Sequence, residues 1–208
     1  MNTGVFVQSG LWGMRTGLSF VLAVAGGLAG SGLLAGCSSL SEQAAANYPS
    51  SASPVSEVRL GALAHDPLSP ERGSADVSGE VLFAKPFTSS DPLWNALLPR
   101  PDIGFSANTA GKTSAAYAGV AWDYNITPRI FGEAGFGGSV NNGHGGMYPP
   151  QGFSAIGCNE LFRESGTLGY RLTQNWSVMA TVEHMSNAGL CDRNRGITNE
   201  GVKIGYSF

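Results

Sequence analysis

Charged side chains are scarce in this sequence: Asp, Glu, Lys and Arg make up 13% of its 208 residues, about half of the ~25% that is usual for soluble domains. No run of ~20 apolar residues occurs outside the extreme N-terminus, which excludes helical membrane spans from the body of the chain. The net charge of −3 gives no clustered basic face for nucleic acid. Glycine, by contrast, is abundant, with 30 residues. Few charges, much glycine and short apolar stretches favour a β-protein.

The first 36 residues have the pattern of a secretory signal, with a positive charge, an apolar stretch and a small-residue end. Residues 34–37 (Leu-Ala-Gly-Cys) resemble the bacterial lipoprotein box, in which the cysteine, here Cys37, is lipidated and becomes the first mature residue. The alternative is ordinary cleavage after the three alanines at 44–46. Residues 37–54, rich in Ser, Ala and Pro, are predicted to be a tether.

The chain contains three cysteines. If Cys37 carries a lipid, Cys158 and Cys191 remain for one disulfide in an oxidising compartment. The alternative is two unpaired thiols.

Residues 55–208 consist of alternating segments of about ten residues each. In the clearest of them, apolar side chains occupy one face and Gly, Ser, Thr, Arg or Lys the other, which is the pattern of a two-faced strand. The segments cover residues 58–65, 77–84, 103–109, 116–124, 130–138, 161–172, 176–183 and 201–208.

This pattern predicts an all-β fold, an eight-stranded antiparallel up-and-down outer-membrane β-barrel whose interior is filled by side chains. The rival is a soluble, lipid-anchored barrel of the lipocalin kind, with its apolar face inward and a small ligand inside. Two observations favour the membrane. The chain ends on an aromatic strand, with Tyr206 and Phe208, which resembles the terminal signal of outer-membrane proteins. Other aromatic residues lie near strand ends, where interfacial girdles belong.

Eight strands put both termini on the periplasmic side, so short turns are expected there and long loops outside. The connections at 125–128 and 173–175 are short, and the outer loop at 139–157 is long, as expected. The connection at 86–99 is long although the topology assigns it to the periplasmic side.

A polar pair, His184 and Ser186, interrupts the lipid-facing side of strand seven. By parity both share a face with Val178 and Val182, at the outer end of the strand. Residues i and i+2 are about 6.6 Å apart between Cα atoms, so the imidazole and the hydroxyl can form a base and nucleophile pair. The alternative is an interfacial histidine with no catalytic role.

A carboxylate would orient the imidazole and stabilise its cation. Glu164 pairs with His184 if the turn before strand seven is tight. Glu200 also faces His184 if Trp176 and Phe208 are the matched ends of the last hairpin. Parity keeps both glutamates on the outer face.

The other histidines, His65 and His144, are expected to be loop residues. No cluster has the spacing of metal ligands, and the glycine clusters at 135–138 and 143–146 precede no helix that could hold a phosphate.

Residues 184–189 (His-Met-Ser-Asn-Ala-Gly) resemble the lipid A 3-O-deacylase family (PagL type, also called acyloxyacyl hydrolases), whose members are eight-stranded outer-membrane barrels with His-x-Ser-Asn near the C-terminus. The resemblance covers residues 55–208 and is strongest at 161–165, 176–178 and 205–208. It implies a carboxylic ester hydrolase of the bacterial outer membrane, which removes a fatty acyl chain from the lipid A of lipopolysaccharide. It implies no metal or organic cofactor. Substrate would arrive by lateral diffusion in the outer leaflet.

When the site of that family is carried over by position, the resemblance implies that Ser186 is the nucleophile and His184 the general base. The side chain of Asn187 and the backbone N–H groups of Ala188 and Gly189 form the oxyanion hole, since a strand that breaks into a loop frees backbone donors.

The acid departs from the family pattern, because an ungapped match puts Thr198 where the family has its glutamate. Glu200, one same-face position later, is the preferred acid and Glu164 the next. A catalytically inactive structural or adhesion-type barrel is the alternative function. A Cys158–Cys191 bridge would brace the loop beside the site. Which acyl position is cut and whether a homodimer forms stay open.

Overall fold

Each strand pairs with its sequence neighbours and the last pairs with the first, so the sheet closes into the predicted eight-stranded antiparallel barrel. The computed structural model describes residues 53–208; the signal sequence, Cys37 and most of the tether lie outside them. The elements are β1 (Val55–His65), β2 (Ser74–Phe83), α1 (Pro92–Leu97), β3 (Arg100–Asn108), β4 (Ala115–Asn125), β5 (Ile130–Asn141), β6 (Glu160–Arg171), β7 (Trp176–Ser186) and β8 (Ile197–Ser207). Within the described range, no helix has the length and apolar character to cross a membrane.

The predicted alternation is confirmed, and its apolar face points outward. Leu60 is 68% exposed and Val202 is 58% exposed, whereas Arg59 and Lys203, their neighbours along the strands, are buried inside. An apolar exterior around a charged interior is the inverse of a soluble barrel. This excludes the lipocalin-like alternative and is the arrangement of an outer-membrane barrel.

Charged side chains fill the lumen and pair with one another. The Arg59 guanidinium lies 2.6 Å from Glu133, 2.8 Å from Glu57 and 3.2 Å from Glu80. The Lys203 ammonium lies 3.3 Å from Glu80. Because a buried charge is tolerated only when paired and hydrogen-bonded, this network allows a polar interior to be closely packed.

An apolar cluster closes the extracellular end of the lumen. It consists of inward side chains from four strands and one residue of the long β5–β6 loop: Ala115, Ile156, Leu161, Met185 and Ile197. Ile156 is fully buried, so the loop turns into the barrel mouth and does not extend freely above it.

The last hairpin has a different register from the one expected. Trp176 pairs with Tyr206, not with Phe208. The cause is local: the N–H of Ser207 donates to the carbonyl of Asn175, and the Asn175 side chain donates back to the carbonyl of Ser207, so the pairing ends before Phe208. Every partner on β8 therefore moves by two residues, which places Thr198 opposite His184.

Candidate functional site

His184 and Ser186 lie at the extracellular end of β7, on the outer face of the barrel, as predicted from parity. Both side chains are half-buried, while Met185 between them is buried in the apolar cluster inside. On β6, Phe162 is directly opposite Ser186. The outward pair is therefore held on a strand whose reverse side is anchored by core packing.

Thr198 is the hydrogen-bond partner of the imidazole. Its Oγ1 lies 2.8 Å from Nδ1 of His184, across the β7–β8 pairing. If Nδ1 carries the proton and donates it to the hydroxyl, Nε2 is the unprotonated nitrogen that a general base needs. Within residues 53–208, Nε2 has no hydrogen-bond partner.

Asp66 holds Thr198 from the other side. One carboxylate oxygen accepts the N–H of Thr198 at 3.2 Å, and the N–H of Asp66 donates to the Asn199 side chain at 3.2 Å. Asp66 is 6% exposed and has a φ of 36°, which is unusual for a residue other than glycine. Its second oxygen, Oδ2, is buried with no hydrogen-bond partner in the described part of the chain. Sequence reasoning did not identify Asp66, which is distant from the motif along the chain.

The two predicted acids have different positions. Glu164 lies directly opposite His184 on β6, so its expected pairing is confirmed. The expected pairing of Glu200 is wrong, because Glu200 faces Val182 on β7 and Ala64 on β1. Glu200 therefore lies further from the extracellular rim than His184, by one outward-facing position of the strand. Neither glutamate hydrogen-bonds to His184 within the described residues.

The predicted oxyanion donors are mostly occupied. The Asn187 side-chain amide donates to the carbonyls of Ile156 at 2.8 Å and Arg193 at 2.6 Å. The N–H of Gly189 donates to the Asn187 side-chain oxygen at 2.9 Å. The expectation that these two groups serve the oxyanion is therefore not met in this conformation. Among the residues described, the N–H of Ala188 makes no hydrogen bond.

The loop after β7 begins with a strained turn. Ala188 has a φ of 51° and Gly189 a φ of 82°, while the N–H of Leu190 donates to the carbonyl of Asn187. Positive φ at both central positions is the geometry of a type I′ turn, which is costly for alanine. The strain lies directly beside Ser186.

The two outer loops next to the site are tied together. Cys158 and Cys191 form the predicted disulfide, with Cα atoms 6.2 Å apart, so the alternative of two free thiols is rejected. Gly157, at a φ of 95°, lies so close to Arg193 that a Cβ would overlap the Arg193 carbonyl. Together with the Asn187 amide, these contacts join the β5–β6 loop to the β7–β8 loop.

Gly196 covers the imidazole. A Cβ at this residue would lie 2.9 Å from Cε1 and 3.3 Å from Nε2 of His184, and φ is +68°. Only glycine combines this conformation with so close an approach. The sequence contains the signal, a glycine just before β8, but nothing in the pattern links it to His184.

A buried cluster at the extracellular end was also missed. His65, predicted to be a loop residue, ends β1 and lies 2.9 Å from Asp76 and 3.1 Å from Glu71. Glu71 also accepts the N–H groups of Thr113 and Ser154 at 2.8 Å each. Burial alone would raise the pKa of Glu71, but these hydrogen bonds lower it to about 2. Glu71 thereby connects the loops after β1, β3 and β5.

The lipid-facing wall below His184 has a shallow depression of about 680 Å³. It runs across β6, β7, β8 and the end of β1. Its lining is mainly small or apolar (Ala64, Gly166, Leu168, Ala180, Val182 and Val202) and also includes Glu200. A separate cavity of about 390 Å³ lies at the opposite, periplasmic end, around Arg100, Asp123 and Arg171. Among the described residues, no group of His, Cys, Asp and Glu could hold a metal ion.

A family model described as lipid A 3-O-deacylase (PagL) matches residues 72–207. A crystal structure of the outer membrane enzyme PagL matches with a TM-score of 0.57 and 17% identity, over 73% of this chain and 99% of that one. The N-terminal barrel domain of Pseudomonas aeruginosa OprF matches at 0.49 and 12% identity, over 74% and 98%. A de novo designed transmembrane β-barrel matches at 0.47 and 14% identity, over 76% and 98%. No curated protein matches the chain significantly.

Proposed function

Because the chain belongs to the lipid A 3-O-deacylase (PagL) family, we propose that it removes an ester-linked fatty acyl chain from lipid A by acyl transfer through Ser186 and His184. The observation that carries this proposal is the hydrogen bond between Nδ1 of His184 and Oγ1 of Thr198, on the lipid-facing side of the outer rim. With Nδ1–H donating to the Thr198 hydroxyl, Nε2 is the free base, on the same strand face as the Ser186 hydroxyl.

In the proposed first step, the Ser186 Oγ attacks the acyl carbonyl while Nε2 of His184 takes the hydroxyl proton. The bond to the sugar oxygen then breaks, and the imidazolium gives its proton to that oxygen. Water, deprotonated by the same nitrogen, then attacks the acyl-enzyme; the bond to the Ser186 Oγ breaks, the imidazolium returns the proton to that oxygen, and the fatty acid is released. A direct hydrogen bond between His184 and Ser186 is not required beforehand, because catalytic contacts often tighten only when substrate binds.

Thr198 takes the positioning role that the family resemblance assigns to a glutamate. A hydroxyl holds the imidazole ring in place as a carboxylate does, but it can donate as well as accept and so does not by itself select the tautomer, and it carries no charge to stabilise the imidazolium. Glu164, directly opposite His184, is the carboxylate closest to it in the strand pairing. We therefore assign the electrostatic part of the acid's role to Glu164 and no role in orienting the base to Glu200.

The N–H of Ala188 is the proposed oxyanion donor. It follows Ser186 by two residues and is not used elsewhere in the described chain, and the turn holds it in place through the Leu190 hydrogen bond. A fixed donor of this kind typically lowers the barrier by about 3 kcal/mol. Asn187 supports it by holding the two outer loops, not by donating itself.

The depression below His184 supports a lipid substrate. Its small side chains leave room along the wall for an acyl chain that reaches the site from within the outer leaflet. The substrate then never leaves the membrane, which agrees with a site on the outside of a barrel whose lumen is filled by charged side chains.

The test is to incubate the protein in lipid vesicles with purified lipopolysaccharide and to measure lipid A by mass spectrometry. We expect the loss of one hydroxy fatty acyl chain, abolished in Ser186→Ala and in His184→Ala. Ser165→Ala, which removes a lumen-facing hydroxyl, is the matched control and should retain activity. An unchanged lipid A mass with the wild-type protein would instead support the structural barrel.

Glu164→Gln and Glu200→Gln separate the two acids. Glu164→Gln should lower kcat about tenfold, the effect of about 1.4 kcal/mol in the barrier. Glu200→Gln should leave kcat close to the wild-type value. The reverse order would show that the register seen here is not the catalytic one.

A further inference from the structure

The long connection between β2 and β3 is an unusual periplasmic segment. It runs from residue 84 to 99 at the end of the barrel where short turns are the rule. Between residues 86 and 99 the only charged side chain is Asp91. That carboxylate caps α1 by accepting the N–H groups of Leu93 at 2.9 Å and Trp94 at 3.0 Å. The segment thus contains one short, capped helix and almost no charged side chains.

Four large apolar side chains of this segment are exposed. Phe87 is 72% exposed, Leu93 70%, Trp94 64% and Leu97 55%. Leaving such side chains in water is unfavourable by about 25 cal/mol for each Å² of apolar surface. A group of them on one loop marks a contact surface.

The helix is held against the lipid-facing wall of the barrel. Trp122 lies on the outer side of β4 near its periplasmic end, and its indole N–H donates to the carbonyl of Leu97 at 3.0 Å. The Lys85 ammonium donates to the carbonyl of Asn95 at 2.7 Å. These two bonds hold the C-terminal half of α1 beside the outer side of β4, and the large apolar side chains of α1 stay exposed.

The periplasmic strand ends carry the aromatic residues of an interfacial girdle. The rings of Trp176 and Tyr206 are 5.0 Å apart, those of Tyr206 and Phe208 are 5.2 Å apart, and Tyr124 and Tyr170 are exposed at the ends of their strands. Such girdles mark the level of the lipid headgroups. Because Trp122 belongs to the same end of β4, α1 lies at that level.

We propose that residues 86–98 form an interfacial anchor, in which Phe87, Leu93, Trp94 and Leu97 insert into the inner leaflet of the outer membrane. The partner is phospholipid at the boundary between headgroups and acyl chains. An apolar face of this size, with a tryptophan and few charges, is suited to that boundary. The anchor is independent of the chemistry at Ser186.

The experiment measures the depth of single nitroxide labels on the full chain in vesicles of phosphatidylethanolamine and phosphatidylglycerol, with no other protein present. Labels are placed at Trp94→Cys, at Ser90→Cys on the same loop, and at Tyr148→Cys in an extracellular loop, in a Cys37→Ser background that keeps the Cys158–Cys191 bridge. We expect the ratio of oxygen to nickel-chelate collisions at position 94 to exceed that at 148 severalfold, with position 90 between them. Equal ratios at 94 and 148 would overturn the proposal and would favour a protein partner in the periplasm.

Trp94 fluorescence provides a second measurement that needs no label. The emission of the wild-type protein minus that of Trp94→Phe isolates this residue without disturbing the Trp122 contact. Lipids brominated on the acyl chain should quench the difference signal, and aqueous iodide should not. Quenching by iodide alone contradicts insertion.

Discussion

Thr198 and His184 are joined by a 2.8 Å hydrogen bond between Oγ1 and Nδ1, at the position where the family resemblance expects a glutamate. The β7–β8 register, fixed at Asn175 and Ser207, determines this pairing. Because of this contact, substitution of Thr198 tests whether it orients the imidazole of His184.

Removing the Thr198 hydroxyl should weaken catalysis without unfolding the barrel. One net hydrogen bond of about 0.5–1.5 kcal/mol corresponds to roughly a twofold to thirteenfold loss of kcat in Thr198→Val. Thr198→Ser keeps the hydroxyl and is the control. Thr198→Val with wild-type kcat would remove Thr198 from the mechanism.

Gly196→Ala should displace the imidazole. The new methyl group would contact Cε1 at 2.9 Å in a backbone conformation with positive φ, so we expect kcat to fall by at least about tenfold. Gly111→Ala in the β3–β4 loop is the matched control, because that glycine has a similar positive φ of 72° but has no atom within 4 Å of an added Cβ. Both variants are assayed on lipid A, with heat-dependent gel mobility as the measure of folding. Equal loss in the two would attribute the effect to backbone strain alone.

Glu71 should make the extracellular end sensitive to acid. Its pKa is lowered to about 2 in the folded protein, against an ordinary value of 4.5. The stabilisation is therefore complete above about pH 4.5 and is lost as the pH falls towards 2. The difference in Tm between wild type and Glu71→Gln should be large at pH 7 and should shrink below pH 4.5. Glu160→Gln, at an exposed site near the same loops, is the control, and a difference in Tm that does not vary with pH would contradict the assignment.

Opening the Cys158–Cys191 bridge should affect the site more than the barrel. Disulfides typically contribute about 2–4 kcal/mol, largely by restricting the unfolded chain. Here the bridge also joins the two loops that hold Asn187. We expect Cys158→Ala/Cys191→Ala to keep the heat-modifiable barrel but lose deacylation. Cys37→Ser leaves the bridge intact and is the comparison; full activity in the double variant would show that the Asn187 hydrogen bonds suffice.

The sequence predicted the strands and their faces well because alternation is a local property. The outward positions of His184 and Ser186 follow from counting residues along β7, and the pairing of Glu164 follows from one short turn. The predicted position of Glu200 is wrong because it depends on a hairpin that ends at Phe208, whereas the hydrogen bonds of Asn175 end the pairing at Ser207. A shift of two residues preserves the face, so no alternation pattern could reveal it.

The outer loops were the least predictable part of the site. The sequence supplied two cysteines and the Asn187 motif, but the use of the Asn187 amide depends on where the carbonyls of Ile156 and Arg193 lie. Asp66 lies far from Thr198 in sequence, and only closure of the barrel brings β1 beside β8.

The sequence alone determined a barrel with an apolar exterior, because the side chains of each strand alternate with a period of two. The same alternation placed His184 and Ser186 at the outer rim. Folding in three dimensions decided which side chain touches the imidazole, which amides are already in use and where the helix of the periplasmic connection lies. Those depend on register and on contacts between distant segments, which residue-by-residue patterns do not encode.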